Sequence, residues 1–123
     1  MNTKLLGSYG EALVAEYLRK KGYRILGMNY RTRLGEIDLI AADRKYVAFV
    51  EVKLRKSDTF AQAKEFVTRA KQRRVVAAAS EWLSLNPDQR QPRFDVAEVY
   101  APLGTDTPAP EIRYWENAFS ADE

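Results

Sequence analysis

The sequence contains no cysteine and no histidine, and these two absences remove many classes of active site. Without thiols there is no disulfide framework, no iron–sulfur cluster and no thiolate zinc site. Without imidazole there is no Ser-His-Asp or Cys-His nucleophile system, and the usual general base at neutral pH is missing as well. Any chemistry must therefore rely on carboxylates, lysines, hydroxyls and bound ions.

Long apolar runs are also absent, so no segment predicts a membrane span. The first residues lack the apolar core of a signal peptide, and we therefore expect a cytoplasmic protein without membrane contact. The 123 residues, 46% of them hydrophobic, suffice for one domain with a core and are too few for two ordinary domains. We predict a single domain over residues 1–119, followed by a flexible tail at 120–123.

Charge is unevenly spread along the chain, although the net charge is only +3. Residues 1–94 contain 19 Lys and Arg against 10 Asp and Glu, whereas residues 95–123 contain seven acids and one basic residue. Eight basic residues and two acids lie between Lys53 and Arg74. Such a segment suits a polyanion, because phosphates attract clustered Lys and Arg and release counterions. A solvated helix face would show the same pattern, so charge alone leaves both interpretations open.

Hydrophobic periodicity predicts an α/β domain. Apolar residues at helical spacing indicate a helix over residues 5–21 and another over 61–85, which Pro87 ends. Branched and aromatic runs predict strands at 23–30, 36–41, 46–53, 93–100 and 112–115. The second and third strands flank a polar turn at 42–45 and should form an antiparallel hairpin. This order indicates a mixed four- or five-stranded sheet flanked by helices.

Three charged residues interrupt strands that should otherwise be buried. Glu51 and Lys53 lie two residues apart in the third strand and so point to one face, beside Val47 and Phe49. Burying a carboxylate or an ammonium group is costly unless the ion is paired or bound to a metal. Asp38 repeats the anomaly in the second strand, and the hairpin turn should place it near Glu51 across the ladder.

Asp38 and Glu51 together form a pattern typical of a metal site. Two close carboxylates repel each other unless a cation lies between them, and oxygen ligands without histidine or cysteine select hard cations such as Mg²⁺ or Mn²⁺. Lys53 beside them could position a water or stabilise charge on a phosphate. A simpler explanation is a strand end where Glu51 and Lys53 reach solvent and pair with each other or with Arg55. Local chemistry does not decide between the two.

Further candidates lie on the two predicted helices. Glu11 lies at the border of the apolar stripe of the first helix, where a solvated carboxylate is the simpler interpretation. The later helix contains the densest polar cluster of the chain, and its Lys71 should project toward the sheet. Phosphate contact and solubility both explain the neighbouring polar residues Gln72, Arg73 and Arg74.

Several motifs together resemble those of the YraN family, a group of small bacterial proteins. The resemblance covers residues 6–99, nearly the whole domain. Its motifs are Gly7-x-x-Gly10-Glu11, Asn29-Tyr30-Arg31, Gly35-Glu36-Ile37-Asp38-Leu39-Ile40, Phe49-Val50-Glu51-Val52-Lys53-x-Arg55 and Arg93-Phe94-Asp95-Val96. The family is predicted to contain endonucleases similar to archaeal Holliday-junction resolvases, within the PD-(D/E)XK nuclease superfamily. The resemblance implies a restriction-endonuclease-like core. By analogy with the resolvases, a homodimer would suit a two-fold symmetric junction.

The resemblance also implies roles for residues at matching positions. Asp38 corresponds to the metal-binding aspartate of the superfamily, Glu51 to its second metal carboxylate, and Lys53 to its catalytic lysine. Glu11 corresponds to a helical acid that supports the metal site in a catalytic role. Lys71, or Gln72 beside it, corresponds to a polar residue of the later helix near that site. The implied cofactor is Mg²⁺ or Mn²⁺.

These roles lead to three hypotheses about function. The first is a Mg²⁺-dependent endonuclease that hydrolyses phosphodiester bonds of DNA, including branched or structured DNA, with the Val52 carbonyl assisting the metal carboxylates. The second is a non-catalytic nucleic-acid-binding module that retains the nuclease fold. The third is a protein-interaction domain that uses the acidic C-terminal part. The expected nucleic-acid contacts are Arg31, Arg33, Arg55, Lys71, Gln72, Arg73 and Arg74.

Overall fold

A computed structural model describes residues 3–56 and 67–121, with side chains from residue 7 onward. The strands form one sheet in the order β1-β2-β3-β4-β5, in which β3 and β4 run parallel and the other neighbours run antiparallel. The fold is α/β with a mixed five-stranded sheet flanked by helices, as predicted. Its elements are α1 (Thr3–Lys20), β1 (Arg24–Arg31), β2 (Glu36–Ala42), β3 (Tyr46–Arg55), α2 (Arg69–Leu85), β4 (Gln91–Tyr100), a 3₁₀-helix (Gly104–Asp106) and β5 (Glu111–Phe119).

The two helices cover opposite faces of the sheet, because side chains along the strands alternate between two apolar clusters. Leu18 of α1 belongs to a buried cluster that includes Val50 of β3. On the other face, Val75 and Trp82 of α2 belong to a cluster that includes Phe49. Burial of a Val, Leu or Phe side chain contributes about 1.5–3 kcal/mol, so these clusters hold both helices on the sheet. In the described parts of the chain, neither helix is long and apolar enough to cross a lipid bilayer.

Some helices and strands begin or end at residues other than those predicted. The helix predicted over residues 61–85 begins at Arg69, because Thr68 caps it by accepting a hydrogen bond from the Lys71 backbone N–H at 3.1 Å. Residues 61–66 lie outside the described residues, as do the last two of the predicted tail at 120–123. The last strand, predicted at 112–115, continues to the buried Phe119, although exposed polar residues interrupt its apolar pattern.

The loop between β1 and β2 is fixed directly against α2. The hydroxyl of Thr32 accepts hydrogen bonds from the backbone N–H groups of Leu34 at 3.0 Å and Gly35 at 3.2 Å. A Cβ at Gly35 would lie 2.1 Å from the carbonyl oxygen of Arg74, so only glycine permits this close approach. The contact places the end of the β1–β2 hairpin within one helical turn of Lys71 on α2.

Candidate active site

The β2–β3 hairpin brings Asp38 and Glu51 to the same end of the sheet. Regular pairing runs from Ala42 opposite Val47 to Leu39 opposite Val50, and one further step in this register would pair Asp38 with Glu51. At that step the Asp38 carboxylate instead accepts a hydrogen bond from the backbone N–H of Val52 at 2.8 Å. The two carboxylates are therefore neighbours, as the hairpin pattern predicts.

A cavity of about 200 Å³ brings the candidate residues together from different elements. A space of this size holds several water molecules. A larger cavity of about 430 Å³, beside Arg55 and Leu103, has no carboxylate in its lining. The lining of the smaller cavity includes Gly10 and Glu11 from α1, Asp38 from β2, Glu51 and Lys53 from β3, and Lys71 from α2.

Glu51 is the most deeply buried of the carboxylates at the cavity, with 3% of its surface exposed. Its Oε1 lies 2.6 Å from the Lys71 Nζ and 3.7 Å from the Lys53 Nζ. The simpler explanation, in which Glu51 reaches solvent at a strand end, is therefore wrong, although the pairing with Lys53 does occur. Arg55 pairs with a different acid, since its Nε lies 3.8 Å from Glu98.

Asp38 has surroundings that disfavour its charged form. Burial, and then the negative charge of Glu51, raises the pKa of Asp38 to about 7. The hydrogen bond from Val52 and the charge of Lys71 act in the opposite direction but do not outweigh burial. A cation bound beside both carboxylates would relieve this unfavourable interaction.

The two lysines at the cavity have pKa values shifted in opposite directions. Burial, and then the charge of Lys71, lowers the pKa of Lys53. Burial also opposes the charge of Lys71, but the hydrogen bond and charge of Glu51 outweigh it, so the pKa of Lys71 is raised. Lys71 is therefore the closer ion-pair partner of Glu51, and Lys53 loses its proton more readily than Lys71 does.

Glu11 reaches the cavity from α1 and is 8% exposed, so it is not a solvated edge residue. Burial raises the pKa of Glu11, whereas a hydrogen bond from Asn29 opposes this rise. The donor is the side-chain amide of Asn29, whose Nδ2 lies 2.7 Å from Glu11 Oε1. Apart from its place in the Asn29-Tyr30-Arg31 motif, no pattern in the sequence predicts a role for Asn29.

The residues predicted to contact nucleic acid fall into two groups. Lys71, Gln72 and Arg55 are partly buried and make contacts within the chain. Lys71 pairs with Glu51 and Arg55 with Glu98, and the Nε2 of Gln72 donates a hydrogen bond to the Val67 carbonyl at 2.9 Å. Only Lys71 of these three lines the cavity that contains Asp38. The other four residues are exposed: Arg31, Arg33, Arg73 and Arg74.

The oxygen donors at the cavity suit a hard divalent cation. Burial and the charge of Glu51 raise the pKa of Asp38, and the sequence has no histidine or cysteine to add an imidazole or thiolate ligand to these two carboxylates. Among residues 3–56 and 67–121, no three acidic side chains gather closely enough to hold a metal ion by themselves. The expected Mg²⁺ or Mn²⁺ would therefore need further oxygens, from the Val52 carbonyl, water or a phosphate.

The fold and the grouped side chains together define a class of protein. It is an α/β protein whose mixed five-stranded sheet lies between two helices, an arrangement consistent with a nuclease-like core. Acidic and lysine residues gather where the β2–β3 hairpin meets the middle of α1 and the first turn of α2.

Comparison with known proteins identifies the family. The sequence model of the uncharacterised protein family UPF0102 matches residues 10–99. A UPF0102 protein from Caldanaerobacter subterraneus subsp. tengcongensis is 48% identical over 101 residues, 81% of this chain and 83% of the relative. Another from Alkaliphilus metalliredigens is 44% identical over 95% of this chain and 99% of the relative, and one from Vibrio campbellii is 37% identical over 94% and 92%. The chain belongs to the UPF0102 family, which is the YraN family that its motifs resemble.

Proposed function

We propose that this protein is a metal-dependent endonuclease that hydrolyses phosphodiester bonds of DNA, including branched or otherwise structured DNA. The observation that carries this proposal is the convergence of Asp38, Glu51 and Lys53 in one cavity, with Glu11 at its edge. Phosphodiester hydrolysis needs an activated water and a counter-charge for the phosphate. Two carboxylates can hold a metal ion that activates the water, and a lysine beside them can provide positive charge near the phosphate.

The charge of each group indicates its role. Asp38 and Glu51, with the Val52 carbonyl, would hold Mg²⁺ or Mn²⁺. Such an ion supplies a water of lowered pKa and neutralises charge on the scissile phosphate. Lys53, whose pKa is lowered, orients the attacking water or donates a hydrogen bond to the charge that develops on the phosphate.

A basic surface beside the cavity supports a polyanionic substrate. The close approach of Gly35 to the Arg74 carbonyl brings the β1–β2 loop to α2, so exposed arginines of the two elements are near one another along the chain surface. We expect backbone phosphate contacts there, which provide affinity and register but little base specificity. These arginines are Arg31 and Arg33 near the loop and Arg73 and Arg74 on the helix.

Cleavage assays on branched and linear DNA with Mg²⁺ or Mn²⁺ test the proposal. Asp38→Ala and Lys53→Ala should each lower the cleavage rate by about a hundredfold or more, with circular dichroism showing an intact fold. Glu36→Ala is the matched control, because Glu36 is an acid of the same strand as Asp38 but is exposed, with its carboxylate 3.5 Å from Arg31. Cleavage that survives both Asp38→Ala and Lys53→Ala would contradict the assignment.

A non-catalytic nucleic-acid-binding module is the second candidate, and the Lys71–Glu51 ion pair favours it. The Lys71 ammonium, 2.6 Å from Glu51, already compensates the charge of that carboxylate without a metal. This candidate predicts salt-sensitive DNA binding without metal-dependent turnover. Calorimetric titration of Mg²⁺ and Mn²⁺ into wild type and Asp38→Ala separates the two, because only a metal site loses its binding in the variant. A chain without any affinity for nucleic acid would instead favour the protein-interaction hypothesis.

A further inference from the structure

Asn29 has an unusual backbone conformation at the edge of the proposed site. Its φ is 52°, in the left-handed region that residues other than glycine adopt infrequently and asparagine tolerates best. The regular β1–β2 pairs on either side place Asn29 opposite Asp38. From this position its Nδ2 donates a hydrogen bond to Glu11 Oε1 at 2.7 Å. The left-handed residue of β1 therefore coincides with the contact between β1 and α1.

Glycine would adopt this conformation without steric cost, so the backbone alone does not explain asparagine at position 29. The asparagine side chain adds what glycine lacks, an amide donor beside a carboxylate that is only 8% exposed. A carboxylate removed from water depends on such donors to hold its position and its charge. The contact thus explains the choice of residue.

We propose that Asn29 is a positioning residue that holds the Glu11 carboxylate at the edge of the cavity, where Glu11 binds the water shell of the metal ion. This inference rests on the proposed metal-dependent function. Glu11 lines the same cavity as Asp38 and Glu51, yet within the described residues no three acids lie close enough to bind an ion jointly. Groups in this outer position orient ligands and waters, and their loss typically lowers metal affinity about 10–100-fold.

Asn117 on β5 offers a matched control for the backbone. It also has a φ of 52°, but its side chain is exposed and its backbone N–H makes the structural contact, to Asp95 Oδ1 at 2.9 Å. Replacement of either asparagine by glycine preserves the left-handed backbone. Asn29→Gly therefore removes the donor to Glu11, whereas Asn117→Gly leaves that donor in place.

The experiment measures Mn²⁺ affinity from the electron paramagnetic resonance signal of the free ion. Asn29→Gly and Glu11→Ala should each raise the Kd about tenfold, and Asn117→Gly should leave it unchanged. Because Asn29 acts through Glu11, the double variant Asn29→Gly/Glu11→Ala should bind Mn²⁺ no more weakly than Glu11→Ala alone. Thermal unfolding of each variant verifies that it is folded.

The outcomes separate this inference from the proposed function. Unchanged affinity in Asn29→Gly, when wild type binds Mn²⁺ and Asp38→Ala does not, would overturn the positioning role and leave the metal site intact. Additive losses in the double variant would also overturn it, since Asn29 would then act without Glu11. If wild type binds no Mn²⁺ even beside phosphorothioate DNA, the metal-dependent function fails, and the positioning role fails with it.

Discussion

Two clusters of buried charge lie in the same sheet, and they differ in how completely their carboxylates are hydrogen-bonded. In the first cluster, Asp95 of β4 is fully buried. Its oxygens accept hydrogen bonds from the Arg93 guanidinium at 2.9–3.1 Å, the Tyr114 hydroxyl at 2.6 Å and the Asn117 backbone N–H at 2.9 Å. Burial, and then the charge of Asp95, raises the pKa of Tyr114, so this hydroxyl keeps the proton that it donates.

The second cluster, at the cavity, leaves Asp38 poorly compensated. Asp38 accepts a hydrogen bond from Val52 but lies beside Glu51, and its pKa is raised to about 7 by burial and by that neighbour. The comparison teaches that burial of a carboxylate does not by itself indicate function. A carboxylate surrounded by donors stabilises the fold, whereas two carboxylates facing one cavity are in a state that a cation would improve.

Loss of the Asp95 carboxylate should have the largest effect on stability. Asp95→Ala leaves the guanidinium of Arg93 buried without its main partner, and we expect a loss of about 3–5 kcal/mol in the free energy of unfolding. Urea denaturation measures this loss. Asp38→Ala is the matched change in the other cluster and should cost less than about 1 kcal/mol or stabilise the chain. Equal losses in the two variants would break the comparison.

The next largest effect should be a pH dependence of stability that comes from Asp38. Its pKa of about 7 in the folded chain exceeds its ordinary value of 3.8, so between these values the folded state binds a proton that the unfolded state has released. This contribution stabilises the protein at low pH and is lost as the pH rises through about 7. Asp38→Asn should therefore be more stable than wild type by about 1–3 kcal/mol near pH 8, with little difference near pH 4.

Urea denaturation of both proteins across this pH range measures the difference directly. Asparagine is a fair substitute for Asp38 because an amide oxygen can still accept the hydrogen bond from Val52. Carboxylates far from Asp38 titrate alike in both chains, so their effect cancels in the difference. A difference that does not change with pH would show that Asp38 has no raised pKa.

Glu98 should show an intermediate effect, because it resembles Asp95 in being surrounded by donors. It is 1% exposed, and it accepts hydrogen bonds from the Tyr100 hydroxyl and from the Trp115 indole at 2.9 Å. Glu98→Gln retains an acceptor of the same shape but loses the charge opposite Arg55, 3.8 Å away. We expect a loss of about 1–2 kcal/mol, measured from the urea midpoint. A gain in stability would place Glu98 with the poorly compensated acids.

The smallest effect should come from an exposed ion pair on α1. Lys20 and Glu16 lie 3.3 Å apart on successive turns, with side chains 77% and 62% exposed. Water and salt screen such a pair, so Lys20→Ala should cost no more than about 0.5 kcal/mol. The same denaturation series provides this baseline. A loss as large as that of Glu98→Gln would mean that ion pairing, rather than burial, determines how much each charge contributes to the free energy of unfolding.

Local sequence patterns were sufficient to predict the order of elements and the core of the candidate site. Periodicity and turn chemistry act over a few residues, so the turn at 42–45 set the register that makes Asp38 and Glu51 neighbours. Element ends were less predictable. β5 continues through polar positions such as Asn117 because pairing with β4, rather than apolar pattern, carries it to Phe119.

Several partners of the buried charges come from distant parts of the chain, so they depend on tertiary packing. Asp95 finds Tyr114 and Asn117 because β5 lies beside β4, about 20 residues further along the sequence. Likewise, helical spacing predicts that Lys71 projects toward the sheet, but that it meets Glu51 depends on how α2 packs there. Hydrophobic periodicity is readable along the chain because it needs only spacing, whereas compensation of a buried charge requires atoms within about 3 Å in space.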